Sequence, residues 1–164
     1  MKWITSSTKP NIIKKDEIWH PLLNIKYLNP IIPKTVDIAI FTSKHGIVDC
    51  KLNEKFVIGQ NGIKNVADIK NAMQNIVGRQ IIYFRGRDVT DDLSFLSQNN
   101  DFSSVIVYEA NFITEISPEL LYLLQNNQIA EVEIKSKRSL EAFNQIINKY
   151  NIFMLPQIKH IFSE

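Results

Sequence analysis

Basic side chains collect at three places where an apolar run stops. Lys44 and His45 follow Val36 to Phe41, Arg85 and Arg87 follow Ile81 to Phe84, and Lys135, Lys137 and Arg138 follow the alternating run that ends at Ile134. Each cluster reads as the turn between a strand and a helix start, where unpartnered backbone N–H groups and the positive end of the macrodipole favour an anion. If the three ends converge, the ligand is polyanionic and its binding weakens with salt. For any single cluster the ordinary reading is solvated loop cations, and the repetition at three equivalent places argues against it. Tyr108 closes a further apolar run. A tyrosine there is a core ring with its hydroxyl at the rim, or an acid.

Other chemistry is excluded more easily. Gly59 with Gly62 and the lone Gly86 fit neither nucleotide-binding fingerprint, so ATP and NAD are not expected. His20, His45 and His160 lack the close spacing of a metal pair, and the single cysteine, Cys50, has no partner ligand. No Gly-x-Ser-x-Gly elbow is present. The expectation is a site without metal or cofactor.

At 164 residues and 45% apolar, the chain can bury roughly 70% of the surface that its unfolded form exposes. That suffices for one domain or two small ones. A net charge of +2 does not point to nucleic acid as a partner. No apolar stretch approaches the roughly 18 to 20 residues that span a bilayer, so no membrane association is expected. Residues 1–7 lack the apolar core of a secretory signal, and with one cysteine the expected location is cytoplasmic.

The elements that must position the clusters alternate between strand and helix signals, giving an α/β fold. The segment Lys2 to Pro10 reads as a very short strand ending in hydroxyls, Glu17 to Pro21 and Leu22 to Leu28 as two extended stretches split by a proline, and residues 21–34, with Pro30 and Pro33 ruling out a helix, as a crossing or linker strand. Val36 to Phe41 is apolar almost throughout, as in a strand covered on both faces. Ser43 to Cys50 has room for about two turns of helix. Phe56 to Gly59 is a strand with a turn at Gln60 to Gly62, and Asn65 caps a helix through Val66, Ile69, Met73 and Ile76 that ends near Gly78. After Ile81 to Phe84, Thr90 caps a helix with Asp91 and Asp92 at its positive end and Leu93, Phe95 and Leu96 on its buried side. Val105 to Tyr108 is a strand whose continuation to Ile113 makes a second crossing. Ser117-Pro-Glu119 starts a helix that ends at Asn126 and Asn127. Ile129 to Ile134 is a strand, Lys135 to Ser139 opens a helix through Leu140, Phe143, Ile146 and Ile147, Asn151 to Leu155 reads as a last strand, and Ile158 to Phe162 as weak helix or coil.

In order and spacing these pieces resemble the uroporphyrinogen-III synthase family. The resemblance rests on Phe41-Thr42-Ser43, Val57-Ile58-Gly59, Tyr83 to Asp88 (Tyr-Phe-Arg-Gly-Arg-Asp) followed by Asp92-Leu93, and Val107-Tyr108-Glu109. It continues with Ser136-x-x-Ser139 and Glu141-Ala142-Phe143, and Pro21 to Ile25 resembles the approach to that family's first linker strand. It implies two small flavodoxin-like or Rossmann-like α/β domains with mostly parallel sheets, joined by a two-stranded linker, with a cleft between them. Residues 35–107 would form the middle domain, and residues 1–34 with 108–164 the discontinuous end domain.

It also implies a cofactor-independent lyase. Such an enzyme closes hydroxymethylbilane, a linear tetrapyrrole with eight carboxylates, into uroporphyrinogen III with the last pyrrole inverted. By that resemblance Tyr108 is catalytic and assists departure of the terminal hydroxyl. Thr42, Ser43, Lys44, His45, Gly59, Arg85, Gly86, Arg87, Ser136, Lys137, Arg138 and Ser139 would bind the polyanionic substrate. The chain departs from the family in having no room for a helix after its first strand, a curtailed helix after Gly59 and no C-terminal Gly-x-x-Thr-Ala turn. Two alternatives therefore stand beside an active enzyme: a non-catalytic scaffold of the same fold that binds tetrapyrroles or a haem-pathway partner, and an unrelated flavodoxin-like interaction module. Sheet edges exposed by the shortened ends would suit a homo-oligomer.

Overall fold

A computed structural model describes residues 1–48, 51–57, 63, 65–88 and 92–160. In chain order its elements are β1 (Lys2–Ile4), β2 (Glu17–Trp19), β3 (Leu23–Tyr27), β4 (Thr35–Phe41), β5 (Lys51–Val57), α1 (Val66–Met73), β6 (Gln80–Gly86), β7 (Asp101–Phe112), α2 (Pro118–Gln125), β8 (Glu131–Ile134), α3 (Lys137–Lys149) and β9 (Gln157–His160). Short 3-10 turns occupy Lys44–Gly46 and Ser94–Gln98. The chain divides into two compact units, residues 1–24 with 111–164 (unit 1) and residues 25–110 (unit 2). The α/β class read from the sequence is the observed one.

Unit 2 carries a sheet in the order β3-β7-β6-β4-β5. Strands β5, β4, β6 and β7 run parallel. Leu28 N–H donates to the Val107 carbonyl and Ile113 N–H to that of Leu22, so partner numbers fall along β7 as they rise along β3 and this pair is antiparallel. Alternation divides the central strands between two faces. Ile38, Ile40, Ile81 and Tyr83 pack with Ile69 and Met73 of α1 and with Leu93 and Leu96. Ala39, Phe41, Ile82 and Phe84 face the other way with Val107, the Phe41 and Phe84 rings stacked at 5.3 Å. Partly buried Ile32, Val48, Val105 and Tyr108 complete that second cluster. Helix α1 begins on a reciprocal capping box, in which the Asn65 side chain accepts from Asp68 N–H and the Asp68 carboxylate from Asn65 N–H.

Unit 1 carries a parallel sheet in the order β2-β1-β8-β9. Its core gathers Trp3, Leu22, Leu120, Leu124, Val132, Ile134, Phe143 and Ile146. The Trp3 ring is fully buried against Phe143 at 5.8 Å, and its Nε1 donates to the His20 carbonyl, which satisfies the one polar atom of the side chain. Ser117 caps α2 and Ser136 caps α3. Both helices stop on an asparagine in the left-handed region, Asn127 at φ 56° and Asn151 at φ 51°. Gln128 N–H returns to the Leu123 carbonyl and Ile152 N–H to that of Ile147, the paired-bond stop that a positive-φ residue permits.

Several expected elements take another form. The segment after Ser43 is one 3-10 turn in place of two helical turns, and α1 ends at Met73, short of Gly78. Residues 94–98 form a 3-10 turn whose N-cap position is Leu93, with the Asp92 carboxylate just before it accepting from Ser94 N–H; the expected cap Thr90 and its neighbour Asp91 lie outside the described residues. Strand β5 starts at Lys51, five residues before the expected Phe56, while Ile58 to Gly62 lie outside the described residues, as does Cys50. Asn151 to Leu155 is not a strand. Ile152 is buried by the stop of α3, Phe153, Met154 and Leu155 are exposed, and the last strand is β9, in the stretch expected to be helix or coil. Its register against β8 is parallel, Val132 opposite Ile158, so the hydrogen bonds of β8's outer edge select it.

Candidate functional site

Because β4, β6 and β7 are parallel, their carboxyl ends share one edge of the unit 2 sheet. From β4 the chain turns out to β5, while β6 lies on β4's other side, which makes the β4/β6 edge a topological switch point, the usual ligand crevice of an open α/β sheet. Thr42 and Ser43 leave β4 at that edge. The Thr42 hydroxyl meets the Tyr83 hydroxyl at 2.8 Å, and Ser43 Oγ accepts from His45 N–H at 3.3 Å, folding the 3-10 turn back on itself. Gly46 is pressed onto β6: a Cβ there would lie 2.9 Å from the Phe84 carbonyl oxygen. The turn thereby delivers His45 to the edge, where its Nδ1 lies 2.9 Å from the Tyr27 hydroxyl. The His45 ring is tilted against Tyr27 at 6.1 Å and against Tyr108 at 5.8 Å.

A register shift sets Tyr108 in place. Arg85 pairs with Ile106 but Gly86 pairs with Tyr108, so β7 carries one extra residue at this point, a bulge that re-aims the strand beyond it. The Tyr108 ring lies over Gly86, where a Cβ would sit 2.8 Å from its Cζ and 3.0 Å from its hydroxyl oxygen. Arg87 N–H donates to the Tyr108 carbonyl at 2.9 Å and holds the strand end down.

Three cations of this edge, Lys26, Arg85 and Arg87, have internal partners. Glu109 binds Arg87 Nε at 3.0 Å and Lys26 Nζ at 3.3 Å, and the hydrogen bond from Arg87, then that from Lys26, holds its carboxyl below the usual range. Arg85 Nη1 donates to the carbonyls of Gly86 and Arg87, both at 3.0 Å, and its Nε reaches Ser104 Oγ at 3.3 Å. Lys44 is exposed. Burial, and then the Lys44 charge, push the His45 imidazole below its ordinary value.

In unit 1 the equivalent switch point lies between β1 and β8. Thr5, buried at the end of β1, donates its hydroxyl to the Glu133 carbonyl. Ser136 Oγ accepts from Ser139 N–H at 3.0 Å and pairs with the Ser139 hydroxyl at 2.8 Å, so these two hydroxyls cap α3 and Ser139 is buried. Lys135 pairs with Glu133 at 3.7 Å, and Glu133 also binds Lys2, whose ammonium is held above its usual range by that bond. The Arg138 guanidinium lies over the Phe112 ring at 4.8 Å, while Lys137 is exposed at the first turn of α3.

Of the residues singled out by sequence, Thr42, Ser43, Lys44, His45, Arg85, Gly86, Arg87 and Tyr108 belong to the one edge of unit 2, and Ser136, Lys137, Arg138 and Ser139 to unit 1. Gly59 lies outside the described residues. Only the third cluster sits at an α-helix N-terminus. Lys44 and His45 lie inside a 3-10 turn, and Arg85 and Gly86 end β6 itself. Tyr27, Tyr83 and Glu109 complete the unit 2 edge; Tyr83 and Glu109 stand inside the Tyr83–Asp88 and Val107–Glu109 motifs without being named as site residues, Tyr27 carries no local signal, and each reaches the edge by strand pairing. In unit 1 a concavity of about 420 Å³ is lined by Leu124, Gln125, Asn127 and residues 151–154, none of them singled out by sequence as a site residue. Among the described residues no three His, Cys, Asp or Glu side chains gather as a metal site, and no helix is long and apolar enough to cross a membrane.

No protein-family model matches the chain, and neither does any curated protein sequence. Among solved structures, the crystal structure of uroporphyrinogen-III synthetase from Helicobacter pylori 26695 is similar to it with a TM-score of 0.58 at 13% sequence identity, a match that covers 97% of this chain and 81% of that one. At that identity the likeness is one of fold: this chain shares the α/β architecture of that enzyme along nearly its whole length.

Proposed function

We propose that this protein is a uroporphyrinogen-III synthase, a cofactor-independent lyase that closes hydroxymethylbilane to uroporphyrinogen III with inversion of the last pyrrole. What supports the reading is the fold likeness over 97% of the chain, joined to a tyrosine, Tyr108, that a strand bulge presents at the switch-point edge of unit 2. In this reading the Tyr108 hydroxyl hydrogen-bonds the departing terminal hydroxyl of the bilane. The Thr42–Tyr83 hydroxyl pair, Ser43 and the exposed Lys44 meet carboxylates of the substrate. Arg85 and Arg87 act through the backbone and through Glu109, keeping the strand ends in position. The bilane closes by itself without inversion, so the protein has only to bias the outcome; a hundredfold preference corresponds to about 2.7 kcal/mol at the transition state, within the range of positioning alone.

The test is to supply purified protein with freshly made hydroxymethylbilane and separate the ring isomers by chromatography. Isomer III in excess of the blank supports the reading, and isomer I alone removes it. A second reading, a tetrapyrrole-binding scaffold without activity, is favoured by one observation: Arg87 and Lys135 are already occupied by Glu109 and Glu133. Salt-sensitive binding of a porphyrin octacarboxylate without isomer III would select it.

A further inference from the structure

Three rings meet at the unit 2 edge, and only one of them was legible as a candidate for proton chemistry. His45 stands between Tyr27 and Tyr108, bonded to the first through Nδ1 and tilted against the second. The turn that carries it is fixed at both ends, by Ser43 Oγ on its own N–H and by the close approach of Gly46 to the Phe84 carbonyl. Such fixing has no use for a solvated surface histidine. It does suit an imidazole whose ring nitrogens have separate tasks, where the bond made by one nitrogen decides what the other carries.

We propose that His45 is a proton-donating residue of the Tyr108 site, and that Tyr27 fixes it by donating its hydroxyl hydrogen to Nδ1 so that Nε2 carries the imidazole hydrogen. The proposal rests on the functional reading above and adds to it a proton path. As the C–O bond of the terminal hydroxymethyl group breaks, its electron pair stays on oxygen, and the pyrrole nitrogen supplies the electrons that stabilise the remaining carbon. The oxygen takes the Nε2 hydrogen and leaves as water, while the Tyr27 hydroxyl passes its own hydrogen to Nδ1. Ring closure later releases one proton from a ring carbon, which returns along the same path and restores Tyr27 and His45. Nothing besides the bilane is consumed, and the only by-product is water.

The surroundings fit this role. Charged and titratable groups near the imidazole include Lys44 on its own turn, Tyr27 at the end of β3 and Tyr108 on β7, and burial together with Lys44 disfavours the imidazolium. A neutral ring with one accepting and one donating nitrogen is what a relay needs. Tyr27 is 63% exposed, so replacing it with phenylalanine removes a hydroxyl without disturbing a core.

The experiment combines histidine 15N NMR of the full chain with the isomer assay on wild type, Tyr27→Phe and His45→Gln. The expected spectrum has His45 as the Nε2–H tautomer, still mainly neutral at pH 6.5, with that preference weakened in Tyr27→Phe. The expected rate of isomer III falls by about a hundredfold or more in His45→Gln. In Tyr27→Phe it falls less, with a displaced pH profile. An Nδ1–H tautomer in the wild type, or isomer III at the wild-type rate from His45→Gln, overturns the proposal while leaving the functional reading intact. A wild-type chain that yields only isomer I overturns the reaction and the His45 step with it, and the NMR tautomer then separately decides whether Tyr27 holds the ring as described.

Discussion

Gly86 and Gly46 offer a paired test, because a methyl group added at either position meets an obstacle of a different kind. At Gly86 the new Cβ would sit 2.8 Å from Tyr108 Cζ, and ordinary contact begins near 3.4 Å, so the ring has to retreat by the difference, 0.6 Å or more. Tyr108 is hinged at its own Cβ and only partly buried, and an off-rotamer excursion of this size costs about 0.5–1.5 kcal/mol. Restricting the unfolded chain by exchanging Gly for Ala returns about 0.4–1 kcal/mol, so Gly86→Ala should leave overall stability nearly unchanged while pushing the tyrosine off its strand. At Gly46 the obstacle is the Phe84 carbonyl oxygen at 2.9 Å, part of the backbone of a central strand. That atom has nowhere to go, and the overpacking should cost about 1–3 kcal/mol. Urea denaturation measures the two stabilities, and the Tyr108 to His45 ring proximity, read by NMR, reports the displacement. The reasoning is refuted if Gly86→Ala is as destabilised as Gly46→Ala, or if it retains the ring proximity of the wild type.

Three further outcomes are expected from the same geometry. His20 and His45 are both pushed below the ordinary value of 6.5, mainly by burial. The unfolded chain therefore takes up their protons first as pH falls, and stability that is full above pH 6.5 should decline below it, before the carboxylates titrate; the decline should flatten in the His20→Gln, His45→Gln double variant. Glu109→Gln releases Lys26 and Arg87 from their internal carboxylate and should tighten binding of a porphyrin octacarboxylate about two- to fivefold at low salt, a gain that vanishes at high salt; unchanged or weaker binding in calorimetry would count against the anion-facing edge. Phe143→Ala removes a fully buried ring from beside Trp3 and should cost about 3–5 kcal/mol in chemical denaturation, with loss of the native tryptophan fluorescence.

What the sequence disclosed and what it withheld divide along the range of the interactions involved. Asn65 and Ser117 are read as helix caps directly, because a cap and the N–H groups it serves lie within three residues of each other, whereas the sequence marks only that a helix opens between Lys135 and Ser139 and the structure assigns its cap to Ser136. Strands β4 and β6 are equally legible, since burial on both faces imposes an unbroken apolar run. Strand β5 is not: Lys51-Leu-Asn-Glu-Lys55 has the composition of a loop and is extended because β4 offers it a hydrogen-bonding edge. The tail misleads in the opposite direction, since Ile152 to Leu155 looks like a strand, yet only Ile152 is buried and the next three side chains are exposed. At the candidate site Tyr108, Arg85 and His45 stood out by type and by position at the end of a run. The contacts Tyr27–His45, Thr42–Tyr83 and Glu109–Arg87 span between 18 and 41 residues and depend on register, including a one-residue bulge that no local pattern announces.

The N-terminal strand has an inner place in its sheet, between β2 and β8, and the α-amino group of Met1 donates to the Gln128 carbonyl. A ribosome therefore releases β1 long before the partner on its far side exists, whereas residues 25–110 form a continuous stretch that can close on itself during the wait. Synthesis order then dictates that the middle of this polypeptide matures first and the beginning completes its structure almost last. Trimming the first four residues would not shorten an edge but would open a gap between β2 and β8.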